Sequence, residues 1–580
     1  MVKRDVPVYR EHVETDSAES TLLSLIESEP FPKAVQDYFS EGGKQSTIKK
    51  ALDTRSEGWR IFFPEELAGK HLDIQTALGK RSRLISEQST EVHAIGSGFR
   101  RALLLKRISE ELGQQVNPLR AKIDSPPYPN HSFDSTFLRS TVSGLSEQLA
   151  AIDRLLKPTG TAFIESNGWP REARFTDLVG IEHDETKRDA RVTSAIRSTA
   201  YNYRNIAHQN GFESVKIFAR LSLGTHRNQC LFSLENREAI GWLLSTDEYL
   251  SDSGLFKLLK TGAKIGSRTG LLKHCFPEYL IVAKKNGEIQ VNEEIDLLLA
   301  GKNRSTGIKL SEGEVTEVIK YPNSKRQGSF TNLEHRVSEE ISSRCPNDFA
   351  DSLPTGTAEI TQFGFTRREQ PVTGEPLDER FGESPEQFEE VTGIAFEWII
   401  RLQDELATNR RCQPAAEVKR ELSVASASPP ADAIDSVELF STPVHGDYFG
   451  SNIYVDSGAV SSVIDWERAG LSENPFTDPA YFLLQYADYL GETFQQGFHK
   501  VFLDDNAYTE VSENAIDEYC SSVGISVEEF LLYLPYPYIR LHRMDRAINH
   551  WVDSDWIKRA KYIWDRYDAL SESIQPTTSE

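Results

Sequence analysis

Between Ile61 and about Asn236, short apolar runs alternate with stretches whose apolar residues recur at helical spacing. His71–Ile74, Glu91–Ile95, Leu119–Asp124, Phe133–Leu138 and Thr161–Glu165 read as five strands, while Phe99–Leu112 and Ser146–Leu156 read as amphipathic helices. Strands alternating with helices are the pattern of an α/β domain with a largely parallel sheet. Gly211–Ile217 and Asn228–Phe232 would close it as a strand pair. Residues 1–55 read as a helical, polar preamble around Thr21–Ile26. From Glu238 to about Ile281, Leu243, Tyr249 and Leu255–Leu259 fall near helical spacing, which predicts a helical connector.

The period changes again beyond it. Glu294–Ala300, Ile308–Leu310 and Val315–Lys320 read as strands, with a small polar turn from Gly301 to Gly307 and a helix over Ser329–Ser342. Ser384-Pro385-Glu386 is a helix start, and Phe388, Val391, Ala395, Trp398, Ile399 and Leu402 fall on one face behind it. Between Ala407 and Val437 the chain is rich in Ala, Ser and Pro, the composition of a surface loop. Helices carrying many aromatics run to Asp568, and a disordered tail is expected over 571–580.

Composition bounds the picture. At 580 residues the chain exceeds what one core supports, so two to four domains are expected. Hydrophobic content of 38% with 10% aromatics is globular. No apolar run approaches the eighteen or so residues of a membrane span, and the first residues do not form an apolar signal core. A net charge of −23 argues against nucleic acid, whose phosphates need Lys and Arg in excess. Five scattered cysteines (Cys230, Cys275, Cys345, Cys412, Cys520) show no metal spacing, which fits reduced thiols in a cytoplasmic protein. Oligomeric state is not legible.

The chemistry concentrates late in the chain. In Pro443–Asn452, Asp447 lies five residues before Asn452, and Asp465 follows thirteen residues later after the apolar run of Ser462–Ile464. Phosphoryl transfer uses such a set: one carboxylate orients the attacking hydroxyl and accepts its proton, while an amide oxygen and a second carboxylate hold magnesium. His445-Gly446-Asp447 with Ile464-Asp465-Trp466 resembles the aminoglycoside phosphotransferase and choline kinase family. That resemblance implies ATP and magnesium, Asp447 as catalytic residue, and Asn452 and Asp465 as metal ligands. It implies a two-lobed kinase-like fold, with a small lobe over 286–380, a large lobe over 381–570 and an interlobe hinge near Gln370–Leu377. Lys320, paired with Glu334, would grip the phosphates, and the turn bearing Asn303 and Ser305 would cover them. His445 would hold the loop by backbone hydrogen bonds, and Asp478 would brace it.

The order of elements over roughly residues 60–236 resembles class I S-adenosylmethionine methyltransferases. The fold expected is therefore multidomain: 1–55, a Rossmann-like methyltransferase-type domain over 56–240, a connector over 241–285, then the α+β kinase-like domain. Gln75 and Ala77 stand where the family's first strand runs into glycines, leaving only Gly79, and Gly96 replaces the acid expected after the second strand. Asp124 matches the adenine-region acid. S-adenosylmethionine binding is therefore not expected, and this domain reads as a scaffold. The resulting expectation is a kinase for a hydroxylated small molecule, a sugar or glycan by analogy with fused enzymes of surface-glycan assembly. A bifunctional methyltransferase-kinase and a non-catalytic scaffold of a glycosylation complex are the alternatives.

Overall fold

The computed structural model describes residues 54–74, 78–96, 98–121, 126–168, 198–223, 228–245, 276–424, 428–430, 436–549 and 554–575, with scattered residues between 21 and 38. Gln75, Ala77, Asp124, most of the expected connector and the tail from 576 lie outside them. The chain divides into two compact units, Met1–Gly328 with Glu359–Arg368 and Ser329–Ala358 with Glu369–Glu580.

The first unit is built on one sheet. Its strands are β1 (Lys70–Ile74), β2 (Glu91–Gly96), β3 (Asn117–Arg120), β4 (Phe133–Ser140), β5 (Leu156–Asn167), β6 (Ser214–Leu223), β7 (Asn228–Ser233), β8 (Glu278–Lys284), β9 (Leu297–Ala300), β10 (Arg304–Ser311), β11 (Glu314–Pro322), β12 (Gly356–Thr361) and β13 (Gly364–Glu369). Helices α1 (Lys80–Ile85), α2 (Phe99–Glu111), α3 (Leu145–Leu155), α4 (Ala200–Gln209) and α5 (Arg237–Ser245) accompany them. The order is β12-β13-β11-β10-β9-β7-β6-β8-β5-β4-β1-β2-β3. β3, β2, β1, β4 and β5 run parallel, as expected.

Two features depart from the sequence reading. The end of the expected helical connector is β8, which lies antiparallel between β5 and β6. Its Tyr279–Ala283 run is buried on both faces, and a continuous apolar run carries no period to tell strand from helix. β9, expected to begin a separate small lobe, pairs with β7 from Phe232↔Leu297 to Gln229↔Ala300. The first sheet therefore continues into β9–β11, and the first compact unit runs to Gly328.

One face of this sheet packs α3 and α4 through Leu149, Ile152, Tyr203 and Ala207. On the other, the 3-10 segment Arg55–Phe62 and Phe63 lay an aromatic layer on Phe137, Phe163 and Phe218, with ring centroids 5.0 Å apart for Trp59–Phe163 and Phe63–Phe218. Each such ring, fully buried, contributes about 1.5–3 kcal/mol. Beside this layer sits a charged cluster. Arg81 of α1 reaches Glu57 at 3.0 Å, Glu165 at 3.2 Å and Asp73 at 3.6 Å, with its guanidinium 3.4 Å from the Phe137 ring centroid. Arg220 pairs with Glu165 and donates to Gln229 at 2.8 Å.

The second unit starts with α6 (Gly328–Arg344) and α7 (Asn347–Ala350) and continues through β14 (Glu375–Pro376), α8 (Pro385–Leu406), β15 (Thr408–Gln413), α9 (Ala415–Leu422), β16 (Val437–Val444), β17 (Ile453–Asp456), β18 (Ala459–Val463) and β19 (Gly470–Glu473). It ends in α10 (Thr477–Leu490), α11 (Phe494–Phe502), α12 (Ala507–Val523), α13 (Val527–Tyr533), α14 (Tyr536–Asn549), α15 (Ser554–Trp564) and α16 (Tyr567–Ser573). α8 forms as predicted: the Ser384 hydroxyl accepts from Gln387 N–H, Pro385 opens the first turn, and the apolar stripe is buried. The Ala407–Val437 stretch is not all loop, since β15 and α9 occupy its first half. β15 is polar and exposed along most of its length, held by pairing with β16 rather than by burial. α9 buries only Val418 and Leu422, too little apolar surface to stand out in sequence. No helix among the described residues is long and apolar enough to cross a membrane.

Candidate active site

β16 ends in fully buried Val444 and delivers a fully buried His445. Gly446 then turns the chain at φ +77°, where a Cβ would lie 2.2 Å from the Arg468 carbonyl oxygen and 2.3 Å from Arg540 Nη1. Conformation and space both require glycine there. Asp478 of α10 closes the turn from outside: its two oxygens accept the N–H groups of His445 and Gly446, each at 2.7 Å. Nε2 of His445 donates to the Ile464 carbonyl at 2.7 Å, and Nδ1 accepts the Asp447 N–H at 3.3 Å. Burial pushes the His445 pKa down, so a neutral ring with one donor and one acceptor fits both contacts.

These bonds tie the loop to the β17–β18 hairpin. Asn452 Nδ2 donates to the Asp447 carbonyl at 2.9 Å, and the Asn452 carbonyl accepts Ile464 N–H at 2.9 Å. Since Ile453 pairs with Val463, Asn452 and Asp465 flank one end of the same hairpin. Asp465 adopts φ +69°, ψ 51°, a left-handed conformation that costs a non-glycine residue of order 1–3 kcal/mol and clusters at functional sites. Its neighbour Trp466 is clamped: the backbone N–H donates to Glu334 Oε1 at 3.2 Å and Nε1 to the Val463 carbonyl at 2.7 Å. The Trp466 ring lies 4.8 Å from that of His445.

Asp447 therefore projects from a loop fixed on every side. Arg468 Nε stands 3.6 Å from Oδ2 of its carboxylate. Burial pushes the Asp447 pKa up against the pull of Arg468, and the nearby Asp465 and Asp545 charges add to the rise. Arg468 Nη2 is 3.4 Å from Asp545 Oδ1. Motif reading passed over Arg468 and Asp545. Arg468 stands three residues after Asp465, but Asp545 lies eighty residues away on α14 with no local signal.

Of the sequence-predicted residues, Asp447, Asn452, Asp465 and Glu334 fall in the second unit, with Glu334 bonded to the turn after Asp465. Lys320, Asn303 and Ser305 fall in the first. There Ser305 pairs with Tyr321 and Thr306 with Lys320. Side chains alternate between faces along a strand, so Ser305 and Lys320 point to opposite faces of the sheet. Ser305 is fully buried and donates to Asn323 Oδ1 at 2.6 Å, while the Asn303 carbonyl accepts Asn323 N–H at 3.3 Å. Ser305 and Lys320 thus do not share a face, and Asn323 knits this turn into the fold.

Residues 380–513 match the model of the phosphotransferase enzyme family. The second unit therefore carries a domain similar to that family. The matched residues contain Asp447, Asn452, Asp465, Arg468 and Asp478 but stop short of Asp545. No curated protein matches the chain. Solved structures similar to it include the MccD protein, at 13% identity and TM-score 0.25, covering 42% of this chain and 98% of that one. A SAM-dependent methyltransferase from Aquifex aeolicus shows 18% identity and TM-score 0.21, covering 31% and 91%. A SAM-dependent methyltransferase, possible histamine N-methyltransferase, from Thermotoga maritima shows 15% identity and TM-score 0.23, covering 41% and 99%. Likeness at this level carries no weight by itself; the strand order and parallel register of β1–β5 are what describe the first unit.

Proposed function

We propose that the second unit transfers the terminal phosphoryl group of ATP to a hydroxyl of a small molecule, with a sugar or glycan as the preferred acceptor class. The observation that carries this reading is the convergence of Asp447, Asn452 and Asp465 at one end of the β17–β18 hairpin, within the segment matched by the phosphotransferase family. Asp447 orients the acceptor hydroxyl and takes its proton, a role suited to a carboxylate whose pKa is raised toward the working range. Asn452 spends its amide N–H on the Asp447 carbonyl, which leaves its side-chain oxygen as a ligand; with the Asp465 carboxylate it makes a hard, all-oxygen pair. Such a pair suits Mg2+, which takes one or two protein oxygens and completes its shell with phosphate and water. Magnesium would neutralise charge on the transferring phosphates. His445, Asp478 and Glu334 act by fixing the positions of these groups. Lys320 keeps a proposed phosphate-gripping role on its place in the sequence alone.

The test is turnover of labelled ATP against sugars, amino alcohols and nucleosides, with Asp447→Asn alongside. Magnesium-dependent transfer that this variant abolishes supports the reading; equal turnover in the variant overturns it.

For the first unit we propose a non-catalytic scaffold that takes no S-adenosylmethionine. Supporting this, Arg81 lies against Phe137 of β4 and pairs with Asp73 of β1, the two strands at which the strand order reverses and where open α/β sheets bind ligands. Calorimetric titration with S-adenosylmethionine tests it, and micromolar binding would overturn it.

A further inference from the structure

Arg468 stands between two carboxylates, with one long hydrogen bond to Asp545 and none to Asp447. Its Nε is 3.6 Å from Asp447 and its Nη2 is 3.4 Å from Asp545, both longer than the 2.7–2.9 Å of a close charge-assisted hydrogen bond. Among the described residues its Nη1 makes no hydrogen bond. The guanidinium is thus held as a point of charge, not as a bidentate fork. One helix sets that position from both ends. Arg540 of α14 donates to the Arg468 carbonyl at 2.6 Å, and Asp545, five residues on and fully buried, takes the guanidinium. Arg540 is itself steadied by Glu473 at 3.4 Å.

We propose that Asp545 is a positioning residue: it draws the Arg468 guanidinium back from Asp447, so that the reacting carboxylate stays open to the acceptor hydroxyl. This rests on the reading of Asp447 given above. Without Asp545, a buried guanidinium beside Asp447 has a strong incentive to close on it, because attraction between unlike charges grows as water is excluded. A closed bidentate pair would engage both Asp447 oxygens and lower their affinity for the acceptor's proton. Asp545 lies on α14, beyond the residues matched by the phosphotransferase family.

The experiment compares wild type, Asp545→Asn, Arg468→Gln and the double variant in magnesium-ATP hydrolysis with water as acceptor, measuring kcat and nucleotide KM. Asp545→Asn is expected to lower kcat at least about tenfold, part of what a general base supplies, with nucleotide KM unchanged. The double variant is expected to recover to the level of Arg468→Gln alone, because the arginine that blocks Asp447 is gone. A merely structural Asp545 would give a double variant no faster than Asp545→Asn, and that result, or an Asp545→Asn variant as fast as wild type, overturns the proposal. A crystal structure of Asp545→Asn gives a readout free of turnover: Arg468 is expected in close bidentate contact with Asp447, and an unchanged 3.6 Å separation refutes the device. Wild-type protein without any nucleotide turnover would instead sink the phosphotransfer reading, while the crystallographic arm still decides the role of Asp545.

Discussion

Both units bury arginines among carboxylates, and the two clusters behave in opposite ways. In the first unit Arg81 sits within 3.0 Å of Glu57 and 3.2 Å of Glu165. Burial works to raise the Glu57 and Glu165 pKa values, but Arg81 and Arg220 outweigh it and hold both carboxyls below the usual range. In the second unit Arg468 stands farther off, burial prevails, and Asp447 is pushed up. A carboxylate saturated by close guanidinium contacts is structure. One that a guanidinium approaches without docking keeps its oxygens and its proton affinity for chemistry.

The sharpest way to break this contrast is to remove the working carboxylate. Asp447→Asn should lower turnover by about 10²–10⁴-fold, the usual contribution of a general base, while a nucleotide titration shows binding retained. In the first unit, Arg81→Ala should leave Glu57, Asp73 and Glu165 without their shared cation. The expected loss is about 3–5 kcal/mol, as for a broken buried pair, read by urea denaturation. A variant as stable as wild type would mean the cluster is not the closed network described.

Acid sharpens the contrast further. Burial, aided by the charge of Arg81, lowers the His71 pKa to about 3, so the fold holds it neutral with Nδ1 2.8 Å from the Ser135 hydroxyl. The unfolded chain protonates near the ordinary histidine value of about 6.5. Stability should therefore fall as pH drops from about 6.5 toward 3, and His71→Gln should flatten that slope in pH-dependent denaturation. The smallest effect is local: Ser384→Ala removes the cap that accepts Gln387 N–H and should cost the second unit about 1 kcal/mol.

How much of this was legible differs between the same two regions. The loop around Asp447 announces itself, because glycine at 446, the Asp447–Asn452 spacing and an acid after an apolar strand are all local requirements of one turn and one hairpin. The parallel core β1–β5 was likewise readable from the alternation of periods. β8 was not, since Tyr279–Ala283 is buried on both faces and carries no period. The merging of β9 into the first sheet was hidden because strand pairing between β7 and β9 is a long-range choice that neither segment encodes alone. The partner of Ser305 was not legible for a physical reason: a hydroxyl in a polar turn looks the same in sequence whatever it bonds, here Asn323. Asp545 was invisible because its partner is distant in the chain.

The proposed chemistry requires Asp447, Asn452 and Asp465 to meet at one metal-bound triphosphate. Its most direct test is Mn2+ binding, followed by electron paramagnetic resonance in the presence of a non-hydrolysable ATP analogue, in wild type and Asp465→Ala. A tightly held Mn2+ should appear only with nucleotide and disappear in Asp465→Ala. An unchanged signal in that variant, or nucleotide bound equally well without any divalent cation, would contradict it.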